Sequence, residues 1–128
     1  MPQTTIVVFR KENGDVPLLD WLSMVESTNF RAFAKCIAKI QELERLGFEL
    51  KPPHTKLLRD GIYELRIKEG RQNYRVLYFF SGKNIAVLSQ GFTKESEVPP
   101  AEIALAIANK RLVLQDFDKH TADFEQDE

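Results

Sequence analysis

GIYELRIKEGRQNYRVLYFF, residues 61–80, is the stretch that decides the fold. It reads as two β-strands around a glycine-containing turn, yet each strand carries an arginine, Arg66 and Arg75, where branched and aromatic residues are usual. With Glu69 to Gln72 as the turn, Lys68 falls opposite Asn73 and Arg66 falls opposite Arg75. The other face of the pair is then apolar: Tyr63 meets Tyr78, Leu65 meets Val76 and Ile67 meets Tyr74. A slip of one residue would scramble this sorting, because side chains alternate strictly between faces.

A third strand follows the turn SGKN at residues 81–84. Given four turn residues there as well, Ile85 meets Phe80, Val87 meets Tyr78 and Ser89 meets Val76. The apolar face is a seat for helices. The opposite face is divided: Leu77, Phe79, Ala86 and Leu88 need a cover at one end. Arg66, Arg75, Gln90 and Phe92, with Asn73 at the rim, stay open at the other.

Upstream, TIVVFR at residues 5–10 reads as a first strand. Pro17 sits in the first turn of a helix, where its missing N–H costs nothing. The polar stretch ESTN separates that helix from a second over about residues 30–46, whose apolar stripe is Phe30, Phe33, Ala34, Ile37 and Ile40. The short link makes the two an antiparallel hairpin. KPPHT, residues 51–55, is neither helix nor central strand. A last helix runs from Pro99–Pro100 to about Leu114. The order predicts an α+β fold: N-terminal strand, helix hairpin, three-stranded antiparallel meander and C-terminal helix.

The chain has 128 residues, 43% of them hydrophobic, the size of one ordinary domain with a real core. Residues 1–114 are expected to form that domain. Residues 115–128 hold six acidic residues and one lysine and read as a solvated, flexible tail. The rest carries 17 basic and 13 acidic residues, a mildly basic body that permits an anionic partner. No run of 18 apolar residues predicts a membrane span, and the N-terminus lacks a signal-peptide layout. One cysteine, Cys36, permits no internal disulfide, which fits a reducing cytoplasm. The two histidines lie in no metal-binding spacing, and no glycine-rich phosphate loop is present. No cofactor is expected.

Like charges facing each other on a sheet are destabilising by up to about 1 kcal/mol, so something offsets the arginine pair. Two answers stand at this point. Glu64 or Glu69 bridges the arginines internally, or the pair awaits a polyanion. Guanidinium is always charged and grips phosphate through two parallel hydrogen bonds. Phe92 or Tyr74 would offer a platform for a base. His54 is the body residue that titrates near neutrality unaided, though it is equally an ordinary loop histidine. Lys56 and Lys94 are phosphate contacts or plain surface lysines. The stripe Arg31, Lys35, Lys39 reads as a solvated helix face, and Cys36 and Tyr74 as packing.

The segments GIYELRI, YRVLYF and IAVLSQGFTKESEVPPAEIALA resemble the RelE/HigB superfamily of type II toxin–antitoxin toxins, in its phage-derived branch. The likeness covers about residues 57–111. It implies a RelE-like fold and a small domain that enters the ribosomal A site and cleaves mRNA without a metal. It also implies a cognate antitoxin, commonly a helix-turn-helix protein. By position it makes Arg66, Arg75 and Lys94 the catalytic set, with His54 and Lys56 in the place of the basic residues before the strand and Phe92 beside them. Gln90 and Asn73 join Phe92 as RNA contacts from the strand register. Two positions depart from the pattern. Glu95 stands where the family has a second lysine, and Val98 stands where a capping threonine is usual.

The leading expectation is therefore a ribosome-dependent endoribonuclease that uses the RNA 2′-OH as nucleophile. A second is a non-catalytic RNA-binding module of the same fold. A third is a protein-interaction domain whose arginines receive acidic residues of a partner.

Overall fold

The computed structural model describes residues 3–94 and 97–124. Six strands and four helices follow one another as β1 (Thr5–Phe9), α1 (Pro17–Thr28), α2 (Phe30–Leu46), β2 (Thr55–Arg59), β3 (Ile62–Glu69), β4 (Gln72–Phe80), β5 (Ile85–Lys94), α3 (Pro100–Gln115), α4 (Phe117–His120) and β6 (Thr121–Asp123), with a single 3-10 turn at Gly47–Glu49. The strands form one sheet in the order β2-β3-β4-β5-β1-β6. This is the expected α+β architecture. β1 lies parallel to β5, and every other pairing is antiparallel.

Local chemistry accounts for the helix ends. Pro17 occupies the start of α1. The Asn29 side chain accepts a hydrogen bond from Ala32 N at 3.1 Å and caps α2. Gly47, at φ +53°, ends α2, and its N–H donates to Leu43 O. Pro99, with no side chain to donate or accept, stands at the cap of α3.

The sheet separates two cores. On one face α1 and α2 bury Leu18, Leu22, Val25, Cys36, Ile40 and Leu43 against Val8, Leu65, Ile67, Val76, Tyr78 and Leu88. On the other, α3 and α4 cover Val7, Phe9, Ile62, Leu77, Phe79 and Val87. Gly91 lets α1 approach, because a Cβ there would run into the Trp21 ring.

The β3–β4 register is the expected one, with Arg66 opposite Arg75 and Tyr63 opposite Tyr78. Glycine at φ +62° in Gly70 completes the tight turn between them. The β4–β5 register is not the expected one. Phe80 pairs with Ala86 and Phe79 with Val87, and a bulge between Leu77 and Tyr78 then carries the ladder to Leu77–Gln90 and Arg75–Phe92. The cause lies in the turn: Ser81 N donates to Ile85 O, so three residues rather than four make it. Ala86 and Leu88 accordingly face α1 and α2, not α3. Ser89 is the extra residue, and beyond it Gln90 and Phe92 return to the arginine face.

Two strands were not anticipated. β2 pairs with β3 through a turn in which Asp60 (φ +54°) and Gly61 (φ +76°) are both left-handed. At the other edge, residues 116–123 fold back instead of trailing into solvent. Asp116 caps α4, and β6 pairs with β1. Arg10 donates to the backbone oxygens of Asp118 and Lys119, and His120 stacks on Phe9 with ring centroids 5.9 Å apart. The acidic side chains face outward while His120 and Thr121 are buried. Residues 125–128 lie outside the described part. Among the described residues no helix is long and apolar enough to cross a membrane.

Candidate functional site

Strand alternation places Glu64, Arg66, Arg75 and Leu77 on one face of β3 and β4, with Lys56 of β2 beside Glu64. Arg66 turns its backbone N–H away from β4, toward His54 O at 2.9 Å. The Arg66–Arg75 pair is therefore the kind without mutual backbone hydrogen bonds, whose side chains approach most closely. Two cations are held together there.

Glu64 offsets the repulsion. Its side chain is only 3% exposed, and it serves both arginines. Oε1 lies 3.3 Å from Arg66 Nε, and Oε2 lies 2.6 Å from Arg75 Nε. The second contact is a charge pair whose N–H is not aligned for a hydrogen bond. The two arginines then diverge. Arg75 is largely buried and its Nη1 lies against the backbone oxygens of Ile67 and Tyr74, at 3.4 and 3.3 Å. Arg66 is 37% exposed, and its two terminal nitrogens have no partner among the described residues. One guanidinium is locked in place. The other offers a free two-nitrogen edge.

Arg66 and Arg75 both line a cleft of about 530 Å³ at the rim of the sheet, between the β3–β4 end and α2. Arg66, Lys68, Asn73 and Arg75 line one side, Lys35, Lys39 and Glu42 the other, and Ala38, Pro53 and Ile67 give it apolar surface. Lys35 pairs with Glu69 at 2.6 Å and Lys39 lies 3.6 Å from Glu42. Five cations thus meet three carboxylates when Glu64 is included. A concavity of the same size between α1 and α2 is lined by Leu19, Leu22, Phe30, Phe33 and Ile37, with Glu26 its one charged side chain.

The candidate residues from sequence are distributed as follows. Arg66, Arg75 and Asn73 meet at the cleft. Lys56 is exposed on the arginine face. Phe92 stands directly opposite Arg75, half-buried toward the α3 core. Lys94 ends β5 opposite Asn73; its side chain, like Glu95, lies outside the described residues. His54 turns to α2, where its Nδ1 is 2.8 Å from Lys39 Nζ. A lysine ammonium can only donate, so Nδ1 accepts and the imidazole proton sits on Nε2.

Gln90 does not belong to the open surface. It is 5% exposed and donates to Glu102 O at 2.8 Å, in a buried polar group that includes Ser89 and Asn109. The bulge at Ser89 delivers both side chains to α3, where their polar atoms are satisfied. Of the two carboxylates that sequence offered as a bridge, it is Glu64 that holds both arginines; what sequence reading missed is Lys35 and Lys39 as a wall of the cleft. The lysines' spacing of four was visible, but which flank of α2 meets the sheet rim follows only from how the hairpin packs.

Burial pushes the Cys36 thiol up to about 12, which makes it a packing residue without thiolate chemistry. Burial likewise raises the Tyr78 phenol to about 12, with the hydrogen bond to Thr55 acting the other way.

Residues 20–113 match the family model described as phage derived protein Gp49-like (DUF891). No curated protein matches the chain.

Proposed function

From the premise that the chain belongs to the Gp49-like family of phage-derived proteins, within the RelE/HigB-like toxins, we propose that it is a toxin that cleaves mRNA on the ribosome and is neutralised by an antitoxin. The observation that carries this reading is the division of labour at Glu64. One carboxylate holds the inner edges of two facing arginines, the outer edge of Arg66 has no partner among the described residues, and Arg66 lines a cationic cleft.

Cleavage by the RNA's own 2′-OH needs no activated water. The 2′-oxygen attacks the adjacent phosphorus in line, a 2′,3′-cyclic phosphate forms, and the 5′-oxygen departs with a proton. The protein must align the strand, spread the extra negative charge of the transition state and handle two protons. Arg66 grips the scissile phosphate through its two free nitrogens. Arg75, held by Glu64 and two carbonyls, supplies fixed positive charge behind it. Lys56 and Lys94 are the candidates for proton transfer. His54, bonded at Nδ1 to Lys39, donates through Nε2 and so serves as a hydrogen-bond donor rather than a base.

Induced expression without an antitoxin should arrest growth, and primer extension on cellular mRNA should show discrete cuts in register with codons. Arg66→Ala should relieve the arrest in a protein that still folds. A wild type that accumulates to high level without harm overturns the reading. The second reading, a binding module that leaves transcripts intact, is favoured by the carboxylate already seated between the arginines. Arrest without any mRNA cuts would establish it.

A further inference from the structure

Resting on the RNA-cleaving reading above, we infer that the RNA strand crosses the rim of the sheet and runs along α2, with Lys35 and Lys39 as the far side of its phosphate track. From sequence alone the strand would lie flat on the arginine face of the sheet, over Phe92 and Gln90. That route is closed. Gln90 is buried beneath α3 and bonded to Glu102, and Phe92 packs toward the same helix. The cleft opens the other way, over the β3–β4 rim toward α2.

The chemistry of the two walls matches a single strand. The rim contributes Arg66 and Lys68, and α2 contributes Lys35 and Lys39 from one flank, one turn apart. Between them Ala38, Pro53 and Ile67 give apolar surface on which a ribose or base can rest. Lys35 is half-exposed, and its ammonium meets the largely buried Glu69 at 2.6 Å and Lys68 O at 3.4 Å. An ammonium has three donors, so one remains for a phosphate. The size of the cleft favours a nucleotide over an acidic protein helix. About 530 Å³ lies within the range of small-ligand sites, roughly 300–1,000 Å³, whereas a helix with its side chains is about 10–12 Å across.

The test uses the full chain and a short fluorescent single-stranded RNA carrying 2′-O-methyl groups, which cannot be cleaved by its own 2′-oxygen. Binding is followed by anisotropy over a range of salt. The double variant Lys35→Glu/Lys68→Glu, at two exposed positions, should weaken binding at least tenfold. It should also lower the slope of log affinity against log salt by about 1.4, at roughly 0.7 per phosphate contact. Arg31→Glu, on the same helix but outside the cleft lining, should leave both unchanged. Equal loss in Arg31→Glu overturns the track in favour of diffuse attraction. No loss in the double variant while Arg66→Ala weakens binding places the strand elsewhere and overturns it. No loss in either overturns the track and the RNA reading with it. Poly-glutamate that binds through the same two lysines as tightly as the RNA overturns it in favour of a protein partner.

Discussion

Oε2 of Glu64 stands 2.6 Å from Nε of Arg75, with the carboxylate almost wholly removed from solvent. A charge pair so placed is costly to break from one side, because the remaining charge keeps its desolvation penalty and loses its partner. Glu64→Ala should therefore lower unfolding stability by about 3 kcal/mol. Glu64→Gln, which keeps shape and an acceptor oxygen, should cost less. Urea midpoints measure both. A Glu64→Ala protein that unfolds at the wild-type midpoint would show that the carboxylate does not hold the arginine pair.

Arg66 and Arg75 should separate into a functional and a mixed role. Arg66 is the more exposed, and its outer edge has no partner among the described residues. Arg66→Ala should change stability by no more than about 0.5 kcal/mol yet reduce mRNA cleavage by about 100-fold or more. Arg66→Lys should recover little, since a lysine cannot offer two parallel donors. Arg75→Ala should lose both stability and cleavage. Denaturation curves alongside primer extension distinguish these patterns.

Alkali should unfold the protein earlier than its surface charges alone would. Tyr78 and Cys36 ionise in the unfolded chain near their ordinary values of 10 and 9, but only near about 12 when folded, because burial disfavours the charged form. Both are neutral in either state below pH 9. Between about 9 and 12 the unfolded chain loses these protons first, so stability falls with rising pH across that window. Tyr78→Phe should flatten the upper part of the fall and, by removing the bond to Thr55, cost about 1 kcal/mol at neutral pH. Urea midpoints at stepped pH are the measurement. Iodoacetamide should leave Cys36 unmodified until the chain unfolds.

Gly91→Ala should be destabilising by steric overlap alone. Gly91 has no left-handed φ; its constraint is the Trp21 ring that a Cβ would meet. A cost of about 1–3 kcal/mol, with a shift in tryptophan emission as Trp21 is displaced, is expected. Unchanged emission and stability would show that α1 yields freely.

The pairing of Arg66 with Arg75 was legible because one apolar face, from Tyr63 to Tyr78, admits a single register. The helix hairpin was legible, but the buried face of α2 was only partly so: Ala32, Cys36, Ile40 and Leu43 turn inward, whereas Phe30 and Ala34 of the expected apolar stripe are exposed. β2 was less so: its residues are mostly exposed and follow two prolines. Its one strong signal was the Asp60-Gly61 dipeptide, which favours a tight hairpin turn. The β5 face was misassigned because nothing in SGKN or Ser89 announces a shorter turn followed by a bulge. The acidic composition of residues 115–128 masked an ordered segment over residues 116–124, in which His120 and Thr121 are buried and Phe117, Ala122 and Phe124 pack against the cores. Glu64 was visible as a bridge. Its burial beneath the arginines depends on β2 lying alongside, which sequence reading lacked.

The interior position of β1, between β5 and β6, carries a consequence for how the chain folds. β1 precedes the other described strands, yet its neighbours are β5, about eighty residues later, and β6, at residues 121–123. Both ladders close long loops, an entropy cost that precedes any gain from pairing. The strand that separates β5 from β6 is therefore expected to join the sheet late in folding, after the local β2–β3–β4 hairpins have formed.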